Sequence, residues 1–340
     1  MSTLPDSGSR RLRIVLPGGS GQVGTMLANY FQEQGHHVTV LTRSPYSAPW
    51  QTVHWDGMTP GTWVETLEGA DACIHLSGRG INCRFTPQNC TELYDSRIGP
   101  TRLLQRVIAD LTSPPRVWLN ASAVSIYPHA YPAPVHDPQM DESFPLAGEP
   151  DRISRWRPMS NRWRFVSSLV RDWEDAFFTG DTPRTRRIAL RSAMVLSPSP
   201  GSVFQVLSRL VRAGLGGRQG SGRQFVAWIH AADYERAVEF LIAREEISGP
   251  VNMAAPEPLP NSDFMAALRE AWEMPNGLAA PSVAIELGAF FMRTESELVL
   301  KSRPIVPARL LHAGFEFQFP SWPEAAADLV RQWRSAELVF

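Results

Sequence analysis

A glycine-rich turn between an apolar run and an amphipathic stretch constrains the fold of this chain most strongly. The segment LRIVLPGGSGQVG fits both Gly-x-Gly-x-x-Gly and Gly-x-x-Gly-x-x-Gly spacing, and its glycines are Gly18, Gly19, Gly21 and Gly24. Between a strand and a helix, such glycines allow a tight turn, close approach of a pyrophosphate and packing of the helix on the strand. The pattern predicts a dinucleotide-binding βαβ unit; the alternative is a plain tight turn.

The end of the next predicted strand indicates which dinucleotide is bound. Proteins that prefer NAD usually carry Asp or Glu about 20 residues after the glycines, where it binds the ribose 2′-hydroxyl. Here no acidic residue lies between Glu33 and Asp56, and the strand ends in Thr42 and Arg43. Because a planar guanidinium suits a 2′-phosphate, the sequence predicts NADP(H). The alternative is a solvated arginine at a strand end.

Strand and helix patterns alternate along the chain. This alternation predicts an α/β fold, a Rossmann-type doubly wound parallel sheet with a smaller C-terminal substrate lobe. We expect residues 1–10 to be a disordered lead-in and residues 11–200 to form the NADP-binding domain, which includes a proline-rich loop over 128–158. Residues 201–340 are expected to form the substrate lobe, from which 224–256 returns to the Rossmann sheet.

Composition argues against several classes of protein. The net charge of −1 gives no electrostatic reason to expect a nucleic acid or an anionic membrane as partner. The chain has no apolar run of about 18 residues, and its N-terminus lacks the apolar segment of a signal peptide. Its three cysteines show no Cys-x-x-Cys spacing. We therefore expect a cytoplasmic protein that acts on a small-molecule substrate.

Three further blocks resemble one branch of a known family. They are ELYDSRIGPTRLL, GLGGRQGSGRQFVAWIH and RPIVPARLLHAGFEFQFP. Together with the glycine loop and Thr42-Arg43, they resemble the epimerase family proteins, a branch of the atypical, extended-like short-chain dehydrogenase/reductases. The resemblance covers residues from about 12 to 332. Its last block looks like the small C-terminal domain typical of the branch, at about 278–332.

The resemblance implies NADP(H) contacts at positions that match the branch: Gly18, Gly19, Gly21, Gln22, Val23, Gly24, Thr42, Arg43, Leu76, Glu92, Arg97 and Val195. Two residues depart from its usual pattern. Pro17 stands where the branch usually has Thr or Gly, and Pro128 follows Tyr127 where many members have Gly. The loop over 128–158 is also longer than is usual for the branch.

The chain lacks the Tyr-x-x-x-Lys pair with which ordinary short-chain reductases move a proton. Lys301 is its only lysine, and residue 297, four positions earlier, is a glutamate. Aligned with the family helix, the tyrosine position falls at Phe165 and the lysine position at Leu169. The asparagine position of the family falls at Arg97. Neither Phe nor Leu can donate a proton, so we expect an apolar wall beside the nicotinamide.

Candidate catalytic residues come from the segment NASAVSIYP. Ser122 matches the family serine best, and Tyr127 follows it. The alternatives are backbone capping for the serine and core packing for the tyrosine. Arg223 and Trp228 are predicted to line a substrate pocket. His230 is a weaker candidate there, with a structural role in its strand as the alternative.

Two functions therefore stay open. One is an NADP(H)-dependent oxidoreductase or epimerase that acts on a small carbonyl or sugar-like substrate, with a proton relayed by Tyr127, Ser122 or water. The other is a non-catalytic NADP(H)-binding sensor or partner-binding protein, for which a link to cell division is one version. Both predict cofactor binding, so binding alone does not separate them.

Overall fold

The computed structural model describes residues 10–129, 139–147, 161–291 and 297–337. The predicted lead-in therefore lies outside the described residues, except for Arg10. Of the predicted proline-rich loop, only 128–129 and 139–147 are described. Eleven strands run through the described part of the chain: β1 (Arg13–Pro17), β2 (His37–Thr42), β3 (Gln51–His54), β4 (Ala72–His75), β5 (Val117–Ala123), β6 (Arg186–Ser192), β7 (Met194–Leu196), β8 (Phe225–Val226), β9 (Trp228–His230), β10 (Gly249–Met253) and β11 (Leu259–Pro260).

The described ranges contain eleven α-helices. They are α1 (Gln22–Glu33), α2 (Val64–Leu67), α3 (Pro87–Asp110), α4 (Asn161–Phe178), α5 (Val203–Arg212), α6 (Ala231–Ala243), α7 (Asn261–Ala271), α8 (Ser282–Phe291), α9 (Glu297–Leu300), α10 (Ala308–His312) and α11 (Trp322–Glu337). Among the described residues, none of these helices has the length and apolar character needed to cross a bilayer.

A seven-stranded sheet forms the centre of the first lobe, in the order β10-β6-β5-β4-β1-β2-β3. Every neighbouring pair in it is parallel. The chain order reverses between β1 and β4, and in such sheets ligands bind at the carboxyl ends of the strands beside this reversal. The doubly wound Rossmann-type fold predicted from the sequence is confirmed. The strand β10, from the segment 224–256, is one edge of this sheet.

Alternating side chains of the strands supply two apolar layers. On one face, Ile14 and Leu16 of β1 pack with Leu27 and Phe31 of α1 and with Val238 of α6. The opposite face is covered by α3 and α4. Their inward side chains pack with the strand side chains that point to this face, in a second cluster that includes Val15, Leu103, Leu104, Trp118 and Phe177. Because strand side chains alternate and both faces are covered, the strands are almost continuously apolar.

The second lobe has its own apolar core, built from α5, α7, α11 and β9. Trp322 of α11 stacks on Phe264 of α7 at a ring distance of 4.1 Å and meets Trp228 edge-on at 5.1 Å. Two short sheets, β7 with β9 and β8 with β11, connect this core to the main sheet. The final helix therefore shares one core with residues that precede it by more than fifty positions.

Candidate functional site

The glycine loop after β1 is too tightly packed for side chains at Gly18, Gly19 and Gly24. Gly18 has a φ of +74°, and a Cβ on it would lie 2.4 Å from Oγ of Ser77. A Cβ on Gly24 would lie 2.3 Å from the carbonyl oxygen of Gly19, where α1 packs against the turn. Gly18 also donates its N–H to the carbonyl of Leu41, which ties the turn to the end of β2. These glycines are required by the turn itself.

The first turn of α1 presents open backbone donors. Its N-cap residue is Gly21, which has extended backbone and no side chain to cap the helix, and the first turn holds no acidic residue. A Cβ on Gly21 would meet nothing within 4 Å. The side chain of Gln22 donates to Oγ of Ser197 at 3.3 Å, and Val23 packs against the core. Uncapped N–H groups at a helix N-terminus form a site for a phosphate group.

Thr42 and Arg43 lie at the carboxyl end of β2, beside this turn. Thr42 is buried, and its hydroxyl donates to the hydroxyl of Ser20 at 3.2 Å. Arg43 is exposed, and among the residues that the structure describes it has no hydrogen-bond or ion-pair partner. Its guanidinium is therefore available to a ligand bound at the glycine loop.

Arg97 projects from α3 toward the exit of β4. Its guanidinium donates to the carbonyl oxygens of Leu93 and Arg79, each at 2.9 Å, and lies 5.3 Å from the ring centre of Trp173. A Cβ on Gly78 would approach Cζ of Arg97 to 3.1 Å. Burial lowers the pKa of Arg97 to about 10, so the side chain stays charged at neutral pH.

The remaining predicted cofactor residues are spread along the same edge. Leu76 directly follows β4 and donates its N–H to the carbonyl of Pro17 at 2.8 Å, which places it beside the end of β1. Glu92 is exposed on α3 and accepts a hydrogen bond from Arg79 at 2.7 Å. Val195 lies in β7, which pairs with β9 beside the main sheet. These residues lie along the carboxyl edge of the sheet.

An apolar cluster contains Phe165 and Leu169, the residues that the sequence pattern aligned with the tyrosine and lysine of related reductases. The ring of Phe165 lies 5.4 Å from the ring of Phe85, which precedes α3. Leu169 is buried in the same cluster with Leu93 and Val166. Phe165 and Leu169 therefore pack in one apolar cluster, and its position beside the nicotinamide stays a prediction.

The two candidate catalytic hydroxyls belong to one buried polar network. Ser122 donates to Oε1 of Glu174 at 2.5 Å, and Arg191 donates to both oxygens of that carboxylate, at 2.9 and 2.7 Å. A further nitrogen of Arg191 donates to the hydroxyl of Tyr127 at 2.8 Å, and that hydroxyl donates to Oδ1 of Asn252 at 2.8 Å. Burial raises the pKa of Tyr127 to about 12.

This network gives Ser122 and Tyr127 structural contacts. Tyr127 is fully buried and its hydroxyl has both a donor and an acceptor partner, as the core-packing alternative requires. The catalytic role of both residues stays a prediction, with no support from these contacts. Sequence reasoning did not identify Glu174 or Arg191. The available signal was the arginine inside the apolar strand IALRSAM, since a charge there needs a buried partner.

The predicted substrate residues lie in different surroundings. Arg223 is exposed on the turn before β8. Trp228 is buried between elements of the second-lobe core. His230 is buried and caps α6, because its Nδ1 accepts the N–H of Ala232 at 3.1 Å, while Nε2 lies 3.3 Å from a carboxylate oxygen of Asp328. Of the three, only Arg223 is exposed to a ligand in this structure.

Comparison with known proteins identifies the family to which this chain belongs. A family model described as NAD dependent epimerase/dehydratase family matches residues 14–254, well over half of the chain. The chain belongs to the NAD-dependent epimerase/dehydratase family. A second model, described only as a domain of unknown function, DUF1731, matches residues 280–329. The family resemblance inferred from the sequence is confirmed.

Several members of the epimerase family resemble this chain over nearly its whole length. The bovine epimerase family protein SDR39U1 is 31% identical over 324 residues, which cover 94% of this chain and 100% of the bovine protein. An epimerase family protein of Staphylococcus aureus strain MW2 is 29% identical, with 94% and 99% covered. The solved structure of human epimerase family protein SDR39U1 with NADPH superimposes with a TM-score of 0.79 at 27% identity, covering 94% and 99% of the two chains.

Proposed function

We propose that this epimerase family member binds NADP(H) and is an oxidoreductase or epimerase for a small carbonyl or sugar-like substrate. The observation that carries the proposal is the uncapped first turn of α1, which faces an open space at Gly21 beside the exposed guanidinium of Arg43. A human relative of similar structure was crystallised with NADPH, which supports the choice of cofactor.

The residues of the crevice fit this cofactor. The backbone N–H groups of the turn and of α1 would hold the pyrophosphate, and Arg43 would pair with the 2′-phosphate. We assign Leu76, Glu92, Arg97 and Val195 to the rest of the cofactor as the family pattern implies. When bound, NADPH supplies a hydride to a carbonyl carbon. The Phe165 cluster would exclude water from one side of the nicotinamide.

A proton must still reach the substrate oxygen after hydride transfer. The positions of the usual tyrosine and lysine are apolar, and the hydroxyls of Ser122 and Tyr127 are bonded to Glu174 and Asn252. We therefore propose water as the proton source and a structural role for both hydroxyls. Arg223, which is exposed, is the substrate-contact candidate that we retain.

A non-catalytic NADP(H) sensor is the second candidate. The observation that favours it is the packing of Phe85 on Phe165, since a phenylalanine at position 165 has no proton to donate. A sensor needs cofactor binding and a surface that responds to it, and it needs no proton relay.

Single-turnover oxidation of bound NADPH tests the reaction. The acceptors are aldehydes, ketones, quinones and nucleotide sugars, offered to wild type and to Tyr127→Phe and Ser122→Ala. We expect oxidation with at least one class, at rates within about threefold of wild type in both variants, since a lost proton donor would cost about 100-fold or more. Thermal unfolding verifies that each variant is folded.

The possible outcomes separate the hypotheses. If NADPH oxidation is lost in a folded Tyr127→Phe protein, Tyr127 is the proton donor and the proposal of water is wrong. Inertness toward every acceptor, with a protein partner captured only in the NADPH-bound state, would support the sensor.

A matched pair of glycine variants tests the assignment of the turn. Gly24→Ala is expected to lower the free energy of unfolding by about 1–3 kcal/mol, because the new methyl group meets the backbone of Gly19. Gly21→Ala has room for its methyl group and should leave stability within about 0.5 kcal/mol of wild type. If the space at Gly21 holds the pyrophosphate, this variant should bind NADPH about tenfold or more weakly. Urea unfolding and fluorescence titration measure the two effects, and undiminished NADPH binding by Gly21→Ala would contradict the assignment.

A further inference from the structure

A cavity opens at the edge of the main sheet opposite the glycine turn. Its volume is about 720 Å³, within the range of sites that bind small organic molecules. Its wall includes residues at the amino ends of three parallel strands: Leu12 before β1, Val117 of β5 and Arg186 of β6. Because β1 has five residues, this edge lies about 15 Å from the crevice assigned to the cofactor. The cavity is therefore separate from the cofactor crevice.

The acidic residues of the cavity wall each have a donor of their own. They are Asp71, Glu239 and Glu245. Arg10 donates to Asp71 at 2.8 Å, and Arg116 donates to Glu245 at 2.6 Å. The hydroxyl of Tyr30 donates to Glu239 at 2.5 Å. These carboxylates are thus bound by groups other than the remaining two arginines of the wall.

Those two arginines, Arg184 and Arg186, bind backbone carbonyl groups. Arg184 is exposed and donates to two carbonyl oxygens just after α3. Arg186 is half-buried and donates to the carbonyl oxygens of Ile247 at 2.7 Å and Ile242 at 3.0 Å. Within the described ranges, neither guanidinium forms an ion pair with a carboxylate. Each keeps further N–H donors beyond those used in these bonds.

An anion in the cavity would offset the cost of holding these cations there. Burial lowers the pKa of Arg186, which means that its charged form loses solvation, although Glu245 and Glu246 act in the opposite direction from a longer distance. Thr185, between the two arginines in the chain, also lines the cavity and is 6% exposed. Its buried hydroxyl has no hydrogen-bond partner in the described part of the chain. Because buried polar groups are normally bonded, this hydroxyl is a second sign of a ligand.

We propose that this cavity binds a small organic anion whose carboxylate or phosphate group pairs with Arg184 and Arg186. A planar guanidinium can make two parallel hydrogen bonds to such a group. The apolar body of the ligand packs against Leu12, Val117 and Ile242, which belong to the apolar part of the wall. This inference does not rest on the proposed function, because the site lies at the opposite edge of the sheet.

A set of hexyl compounds tests the charge and the apolar body of the ligand. Hexyl phosphate and hexanoate carry the two candidate anionic groups, while hexan-1-ol is neutral and hexylamine is a cation. Isothermal titration calorimetry of the full chain measures their dissociation constants with and without saturating NADPH. We expect at least one anion to bind in a saturable manner, about tenfold or more tightly than the alcohol and the amine, and equally well when NADPH is bound.

The pattern of binding identifies the anion. Binding of hexyl phosphate alone indicates a phosphate ester as the ligand, and binding of hexanoate alone indicates a carboxylic acid. The absence of saturable binding by both anions overturns the proposal. Binding of hexylamine as tight as that of the anions also overturns it. Displacement of the anion by NADPH has the same consequence, because the anion would then lie in the cofactor crevice.

Two variants test whether the anion binds in this cavity. Arg184→Gln removes one cation, and Ala243→Leu adds an apolar side chain to the wall at the exposed end of α6. Each should weaken anion binding about tenfold or more, whereas Arg209→Gln, which changes an exposed arginine of α5, should leave it unchanged. If Arg184→Gln does not fold, Ala243→Leu still decides, because it removes no polar group. Undiminished anion binding in either folded variant overturns the site.

Discussion

Arg191→Met is expected to lower the free energy of unfolding by about 3–5 kcal/mol, the largest effect of any single substitution considered. Arg191 is 4% exposed and makes two hydrogen bonds to the carboxylate of Glu174 and one to the hydroxyl of Tyr127. Its loss leaves the negative charge of Glu174 buried, with Ser122 as its remaining side-chain donor among the described residues. A buried charge without a cation costs far more than the lost hydrogen bonds alone.

Urea unfolding of the cofactor-free chain measures this effect. The double variant Glu174→Leu with Arg191→Met should recover much of the lost stability, because no unpaired charge then remains. Arg102→Met changes an exposed arginine of α3 and should cost less than about 0.5 kcal/mol. A loss below about 1 kcal/mol for Arg191→Met would contradict the buried ion pair.

Arg43→Ala is expected to weaken NADPH binding by about 10- to 100-fold while leaving NADH binding unchanged. The side chain lies exposed at the end of β2, beside the turn assigned to the pyrophosphate. Its planar guanidinium can make two parallel hydrogen bonds to a 2′-phosphate, which NADH lacks. The ion pair between Arg43 and the 2′-phosphate would be exposed to solvent, so salt would screen it. The loss of NADPH affinity caused by Arg43→Ala should therefore be smaller at higher salt concentration.

Fluorescence titration of both nucleotides, at two salt concentrations, tests this expectation. Arg102→Ala, which removes an exposed arginine on α3, serves as the control for a general loss of positive charge. If Arg43→Ala keeps the wild-type preference for NADPH over NADH, the 2′-phosphate is recognised elsewhere and the assignment of Arg43 is wrong.

Local sequence patterns predict the glycine turn and the parallel sheet around it. The spacing of Gly18, Gly19, Gly21 and Gly24 between a strand and a helix predicts the turn that the structure shows, since turn geometry depends on residues only a few positions apart. The alternation of strands and helices predicts the parallel sheet, because each element is a local pattern and a βαβ order of elements favours parallel strands. The single lysine also excludes a Tyr-x-x-x-Lys pair without any structure.

The environment of the candidate catalytic residues depends on contacts between distant parts of the chain. The hydroxyl of Tyr127 binds Asn252, 125 positions away, and its carbonyl oxygen binds Arg303, 176 positions away. No local pattern records such distances, because they follow from the parallel pairing of β5 and β6, from β10 beside them and from the return of the C-terminal segment. The same packing holds Ser122 on Glu174. Local spacing thus defined where a cofactor can bind, and long-range packing defined which polar groups remain available to a substrate.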